Sequence, residues 1–333
     1  MKLFQKNLNK EILYVAELGV NHGGNFKLFK KLIKDAKESG VDVVKFQCFT
    51  PDLYISRDEK KYERLKKIYF NRNQFNEIIN YCKKININYL FTPISHDWLN
   101  YIKSKSSYIK IASGDLNFKP LLEKVVKHKF NIILSTGVSN EQEIRDALKI
   151  FKKKYKSNYK NKLILMHCVS NYPVKDSDAN ILSVRCLSDK FKLTTGYSNH
   201  VIGINACLAA ICNGARVIEF HFTDNKKRRF RDHQLSLDKK DVKNLIKIGN
   251  NLNLLLGKYE KKINSKLLNS RKTLMKGLIA NQDLEKGDFI KNNDINFARP
   301  AKFFYSYDKK KILGKKIKSD LKKGSLFKKK HFK

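Results

Sequence analysis

Strand-like and helix-like patterns alternate with unusual regularity over residues 1–257 of this chain. Buried parallel strands appear as short apolar runs, whereas helices repeat their apolar residues every three to four positions. Helical repeats lie at 26–39, 72–84, 139–152 and 238–256. Strand patterns lie at 12–18, 41–49, 88–94, 107–113, 131–137, 162–170, 192–198 and 216–222. Eight strands that alternate with helices predict an α/β fold, the (β/α)8 TIM barrel.

Short strand-like pieces separated by turns follow the barrel pattern. They occupy 270–333, and we expect the charged stretch 258–269 to be a linker. A unit of about sixty residues buries only a modest core of its own. The sequence therefore predicts a catalytic barrel at 1–257, a linker at 258–269 and a small β-rich domain at 270–333.

Composition narrows the class of protein. No apolar run is long enough to span a membrane, and the N-terminus shows no signal-peptide pattern, so we expect a cytoplasmic protein without a membrane partner. The six cysteines form no CxxC pair and are expected to be free, buried thiols. The formal net charge of +39 suggests nucleic-acid binding as an alternative function. The lysines are spread along helix faces without a recognised binding motif, so we expect no specific nucleic-acid partner.

Polar residues stand where the predicted strands end, and a parallel barrel carries its active site at that end. Lys45 and Lys110 fall at interior positions, where burial of an ammonium group is costly unless an anion meets it. Hydroxyl groups lie at comparable positions, namely Thr92, Ser113, Ser170 and Ser198. This set suits a phosphate or carboxylate ligand. Alternatively, either lysine faces outward and extends its ammonium group to solvent.

Glu17 precedes a glycine-rich turn, and Gln47 shares the strand face of Lys45. A carboxylate at this place orients a hydroxyl group or acts as a base. The alternative is a salt bridge from Glu17 to Lys45 or Lys110. His22 lies in the turn itself, where we expect an exposed imidazole.

Two histidines, His200 and His221, close neighbouring strand patterns, and Glu219 lies on the same strand face as His221. Imidazoles without cysteine suit a labile divalent ion such as Mn²⁺ better than structural zinc. The alternative is a pair of histidines with no metal between them.

Six segments together resemble a known enzyme family. They are AELGVNHGG, VDVVKFQCF, KIASGD, HCVSNYP, GYSNH and EFHFT, in this order. The chain resembles the sialic acid (N-acetylneuraminate) synthase family, with its pseudaminic and legionaminic acid relatives. Its C-terminal part is similar to that family's antifreeze-like SAF domain, a β-clip fold. The resemblance implies condensation of phosphoenolpyruvate with an N-acetylated hexosamine and water, giving a nine-carbon 2-keto sugar acid and phosphate. A metal-dependent aldolase-type barrel enzyme with a different acceptor is the alternative within this fold.

The resemblance also implies residue roles and partners. His200 and His221 would bind a divalent metal, Mn²⁺ first and Mg²⁺ or Co²⁺ as other candidates. Residues implied to bind phosphoenolpyruvate are Lys45, Thr92, Lys110, Ser113, Ser170 and Ser198. Those implied to bind the hexosamine are Glu17, Gln47, Tyr172, Asp232 and Arg299, the last from the partner subunit of a domain-swapped homodimer. Catalytic roles would fall to Glu17, Glu219 and His221, with either glutamate orienting the water.

Two residues and two loop segments depart from the usual pattern of that family. Asn199 replaces an aspartate, and Phe220 stands where a basic residue is common. The turn RRFRDH at 228–233 replaces PGPDH, and the loop RPAKFF at 299–304 replaces RPGTGI. The last two lie where the hexosamine would bind, so they leave its identity open.

Overall fold

The computed structural model describes residues 1–229 and 232–332, so residues 230 and 231 of the predicted RRFRDH turn lie outside the described chain. The chain divides into two compact units, Met1–Gly257 and Lys258–Lys333, and each is described by itself. Within the described residues, no helix is both long and apolar enough to cross a membrane.

The first unit confirms the predicted barrel. Strands β1 (Lys2–Leu3) and β2 (Lys6–Asn7) form a short antiparallel hairpin. The barrel strands are β3 (Leu13–Glu17), β4 (Val43–Cys48), β5 (Asn88–Pro93), β6 (Tyr108–Ile111), β7 (Asn131–Ser135), β8 (Leu163–His167), β9 (Thr194–Asn199) and β10 (Val217–His221). They pair in parallel in the order β5-β4-β3-β10-β9-β8-β7-β6, and β5 packs against β6 to close the barrel.

Helices surround the barrel strands. They are α1 (Phe26–Ser39), α2 (Pro51–Tyr54), α3 (Tyr62–Ile68), α4 (Arg72–Lys84), α5 (Leu99–Lys105), α6 (Lys119–Lys127), α7 (Glu141–Tyr155), α8 (Ser183–Phe191), α9 (Asn205–Cys212) and α10 (Lys239–Leu256). Side chains of Asn71, Asn140 and Asp238 accept hydrogen bonds from first-turn amides and form capping boxes. Because Asn140 is the N-cap, α7 begins two residues later than its predicted start.

The inside of the barrel has an apolar lower layer. Leu3 and Leu8 of the N-terminal hairpin pack against Val15, Val43 and other interior strand residues, and this packing closes the N-terminal end. A larger apolar core lies between the strands and the helices. Polar side chains are thereby confined to the upper interior, at the C-terminal ends of the strands.

The second unit is small and β-rich, as predicted. It contains α11 (Leu268–Leu274) and the antiparallel strands β11 (Gly277–Ala280) and β12 (Ile295–Ala298). Its own core includes Leu278, Ile312 and Phe327. Cysteines are free in the described chain, and Cys186 and Cys212 are exposed rather than buried as expected.

Candidate active site

Four charged side chains meet inside the upper barrel. Glu17, Lys45, Lys110 and Glu219 are each no more than 4% exposed. The Lys45 ammonium lies 2.5 Å from Glu17 Oε2 and 3.3 Å from Glu219 Oε1, and it donates a hydrogen bond to Thr92 Oγ1. Both lysines therefore face the interior, and the expected salt bridge between Glu17 and Lys45 is present.

The second lysine is held more loosely. Lys110 Nζ lies 3.8 Å from Glu219 Oε1 and donates a hydrogen bond of 2.6 Å to Ser135 Oγ. Burial lowers the pKa of Lys110. Burial alone would raise the pKa of Glu219, but Lys110 and Lys45 outweigh it and hold that pKa below the usual range. Ser198 donates a further hydrogen bond to Glu219. Lys110 is therefore the lysine with the weaker carboxylate partner.

These side chains line an inner cavity of about 70 Å³. Its walls include Glu17, Lys45, Gln47, Thr92, Lys110, Ser113, Ser135, Cys168, Tyr172, Ser198, His200, Glu219 and His221. Ser135 and Cys168 were not predicted as site residues. Ser135 ends the strand pattern NIILS, and that polar strand end was the available signal.

Two histidines stand at the rim of the inner cavity, with ring centroids 5.5 Å apart. His200 Nδ1 lies 2.6 Å from the Val169 carbonyl oxygen, which leaves Nε2 for another ligand. Burial, assisted by His221, lowers the pKa of His200 to about 3, so its imidazole is neutral. His221 Nδ1 is buried without a hydrogen bond, 3.7 Å from Asp232 Oδ2. Neutral imidazoles with free ring nitrogens are able to bind a divalent metal ion.

The described part of the chain places no third metal-binding side chain with these two histidines. Within residues 1–229 and 232–332, no group of three or more His, Cys, Asp or Glu side chains is arranged to bind a metal. The two histidines therefore suit a labile divalent ion better than a closed structural site.

An outer cavity of about 710 Å³ lies beside the inner one. Gln47, Tyr172 and His221 border both cavities. One part of its lining is apolar and comprises Val20, Tyr54, Ile55, Leu65 and Ile68. The polar lining residues are Gln47, Lys61, Arg64, Ser170, Asn171, His221 and Asp232. Asn171 is a further residue that was not predicted, although it lies inside the quoted segment HCVSNYP.

Two glycines leave the room that the site needs. A Cβ on Gly137 would lie 2.5 Å from Cys168 Sγ and 2.7 Å from Ser170 Oγ. Ser170 in turn shares a hydrogen bond of 2.9 Å with Ser113. A Cβ on Gly19, whose φ is +44°, would lie 2.9 Å from Glu17 Oε1. Glycine at these positions keeps the hydroxyl and carboxylate groups in place.

Three other residues named from the sequence have the following surroundings. Phe220 is buried in the core between strands and helices, on the strand face opposite Glu219 and His221. His22 is buried, not exposed, because its ring packs against Phe29 and Phe70. Arg299 is exposed in the C-terminal unit, where its Nε donates a hydrogen bond to the Leu274 carbonyl.

Known proteins are similar to this chain along most of its length. A model of the NeuB family matches residues 32–261, and a model of the SAF domain matches residues 276–333. The chain is 35% identical to N,N'-diacetyllegionaminic acid synthase of Campylobacter jejuni, with 92% of this chain and 96% of the relative covered. It is 32% identical to pseudaminic acid synthase of Helicobacter pylori, covering 92% and 94%.

A solved structure agrees with these relatives. N-acetylneuraminic acid synthetase from Leptospira borgpetersenii, crystallised with citrate, superposes with a TM-score of 0.74 at 30% identity. The match covers 79% of this chain and 90% of that protein.

Proposed function

The chain belongs to the NeuB family, and we propose that it condenses phosphoenolpyruvate with an N-acetylated hexosamine and water. The products are a nine-carbon 2-keto sugar acid and phosphate. The observation that carries this proposal is the pair of cavities that meet at His221, one small and lined by two lysines, the other large enough for a sugar.

Phosphoenolpyruvate occupies the inner cavity in this proposal. Its phosphate and carboxylate need cationic and hydroxyl donors, and the buried ammonium groups of Lys45 and Lys110 supply the first kind. Thr92, Ser198 and the joined pair Ser113 and Ser170 supply the second. Lys110 meets the ligand more readily than Lys45, because its carboxylate partner is farther away.

In this proposal His200 and His221 would hold a divalent ion, with Mn²⁺ expected before Mg²⁺ or Co²⁺. When bound, the ion supplies Lewis-acid polarisation of the acceptor's aldehyde oxygen. The fit is supported by the two imidazole rings, whose centroids lie 5.5 Å apart, by the neutral His200 and by the Nδ1 of His221, which makes no hydrogen bond. Oxygen ligands from the substrates suit such an open site.

The protein's own residues position the reaction. A carbon–carbon bond forms between C3 of phosphoenolpyruvate and the aldehyde carbon, water adds at C2, and phosphate leaves. Glu17 and Glu219 are the buried carboxylates placed to orient this water, and Lys45 connects them. The lysines offset the charge of the phosphate, and enclosure in the barrel holds the reacting atoms together.

The hexosamine occupies the outer cavity. Gln47, Tyr172 and Asp232 offer polar contacts, whereas Ile55, Leu65 and the other apolar lining residues accept methyl groups. An apolar wall leaves a sugar hydroxyl without a hydrogen-bond partner, which costs free energy. The lining therefore favours a modified hexosamine, with methyl or additional acetamido groups, over unmodified N-acetylmannosamine.

A second copy of the chain completes the site. Exposed apolar side chains surround the barrel mouth in the segments that follow the strands, two of them in α2, namely Leu53, Tyr54, Phe118, Val138, Tyr172, Leu182 and Ile202. Such a rim is typical of a surface that another protein covers. We propose a domain-swapped homodimer in which Arg299 of the partner subunit reaches the outer cavity. Mixing His221→Ala with Arg299→Ala protein tests this, because mixed dimers regain one intact site; no recovered activity would contradict the swap.

The decisive experiment measures phosphate release from phosphoenolpyruvate with a panel of N-acetylated hexosamines, including 4-amino and 6-deoxy variants, with and without Mn²⁺. We expect release only when both an acceptor and the ion are present. No release with any acceptor would refute the proposed reaction. Equal rates with N-acetylmannosamine and the 6-deoxy variants would refute the role of the apolar wall.

A further inference from the structure

Asn199 is a buried side chain next to His200 that the proposed reaction does not use. It is 1% exposed and ends strand β9 with its side chain directed away from the barrel interior, on the face of Tyr197. Its Oδ1 accepts hydrogen bonds from the Val201 amide at 3.1 Å and from the Tyr197 hydroxyl at 3.2 Å. Its Nδ2 donates to the carbonyls of Val201 at 2.9 Å and Gly203 at 3.2 Å. All four hydrogen-bonding positions of the amide group are filled.

The partners of Asn199 require an amide. Two of them are backbone carbonyls, which only accept, and one is a backbone N–H, which only donates. A carboxylate would accept from the N–H but would face two carbonyl oxygens without a proton to give. Serine and alanine do not span all of these atoms. The four hydrogen bonds of the Asn199 side chain therefore hold the loop of residues 199–203 in one conformation.

The loop closed in this way carries His200. On its other side, the His200 ring is bonded to the Val169 carbonyl, and the His200 carbonyl accepts a hydrogen bond of 2.9 Å from the Val174 amide. The backbone of His200 is thus held from both directions. The ring has one orientation left, with Nε2 available to a ligand.

We infer that Asn199 is a positioning residue that sets the metal affinity of the site by fixing the His200 backbone, an inference that rests on the proposed metal role of His200. Groups that hold a metal ligand from behind change metal affinity about 10–100-fold when they are removed. Asn199 does so without contact to the ion or to either cavity.

The test compares Asn199→Asp and Asn199→Ala with matched changes at Asn213. Asn213 is partly exposed at the end of α9, and its side chain donates one hydrogen bond to the Ala209 carbonyl. The first measurement is the Mn²⁺ dissociation constant by calorimetry. We expect it to rise about tenfold or more for Asn199→Ala, to rise less for Asn199→Asp, whose carboxylate keeps the bond from the Val201 amide, and to change less than about twofold for the Asn213 variants.

The second measurement is hydrogen exchange of the Val201 amide without metal. We expect exchange at least about fivefold faster in Asn199→Ala, as the loss of one hydrogen bond of about 1 kcal/mol implies. Asn199→Ala adds no charge, so both measurements can be made on it if Asn199→Asp does not fold. Wild-type Mn²⁺ affinity or wild-type exchange in Asn199→Ala would overturn the inference. Wild-type protein that binds no divalent ion would refute the proposed metal site, while the exchange rates would still decide whether Asn199 closes the loop.

Discussion

Replacement of Lys45 by methionine tests whether the buried charges depend on one another. Lys45 touches two carboxylates, 2.5 Å from Glu17 and 3.3 Å from Glu219. After the replacement, Glu219 retains Lys110 at 3.8 Å and the Ser198 hydroxyl. Among the described side chains, Glu17 retains Gln47 alone, whose Nε2 donates to it at 3.2 Å. The unpaired charge therefore falls mainly on Glu17.

Removing one partner of a buried ion pair costs about 3–5 kcal/mol. For a unit of this size, about 2–4 °C of melting temperature corresponds to each kcal/mol. We expect Lys45→Met to melt about 6–20 °C below wild type by differential scanning calorimetry. Adding Glu17→Gln should recover at least half of this loss, because it removes the unpaired charge.

A matched control is Lys149→Met on the barrel surface. Lys149 pairs with Asp146 at 2.7 Å, but both side chains are exposed, and such pairs contribute about 0–1 kcal/mol. We expect a change of no more than a few degrees. Two results would refute the idea that the buried charges depend on one another. One is a melting temperature of Lys45→Met equal to that of Lys149→Met, and the other is a double variant that is less stable than Lys45→Met alone.

Three further predictions concern single positions. Gly137→Ala should destabilise the fold by about 1–3 kcal/mol and raise KM for phosphoenolpyruvate, because the new Cβ would lie 2.7 Å from Ser170 Oγ. The control is Gly114→Ala, whose new Cβ would have no neighbouring atom within 4 Å. Burial lowers the pKa of His22 from 6.5 to about 4, so as the pH falls the imidazole takes up a proton in the unfolded chain before it does so in the folded chain. Up to about 3 kcal/mol of folding stability is therefore lost between pH 6.5 and pH 4. His22→Gln should show a smaller loss in denaturant titrations over this range, and parallel curves would contradict it. His221→Ala should abolish turnover and weaken Mn²⁺ binding with little change in melting temperature, and wild-type turnover by this variant under chelation would contradict the metal role.

The barrel was predictable because buried parallel strands leave a strong local signal. The period of two also placed Lys45 beside Gln47 and Glu219 beside His221 on interior faces. The same alternation puts Phe220 on the outer face of its strand, in the core between strands and helices.

Other features depend on contacts between distant segments. His22 is buried because Phe70, forty-eight positions later, packs on its ring, and no local pattern reports this. Ser135 matters through Lys110 on the neighbouring strand, and strand register is not visible in one sequence. The cavity lining from α3 was missed because Leu65 and Ile68 look like ordinary helix residues.

The two cavities of the barrel share part of their lining. The N-terminal hairpin closes the bottom of the barrel with Leu3 and Leu8, and the outer cavity lies at the mouth beside the inner one. Gln47, Tyr172 and His221 border both cavities, so a molecule in the outer cavity would adjoin one in the inner cavity. We expect an order of binding, in which the inner ligand binds before the outer ligand and leaves after it. Initial-rate and product-inhibition patterns should then be those of ordered rather than random binding.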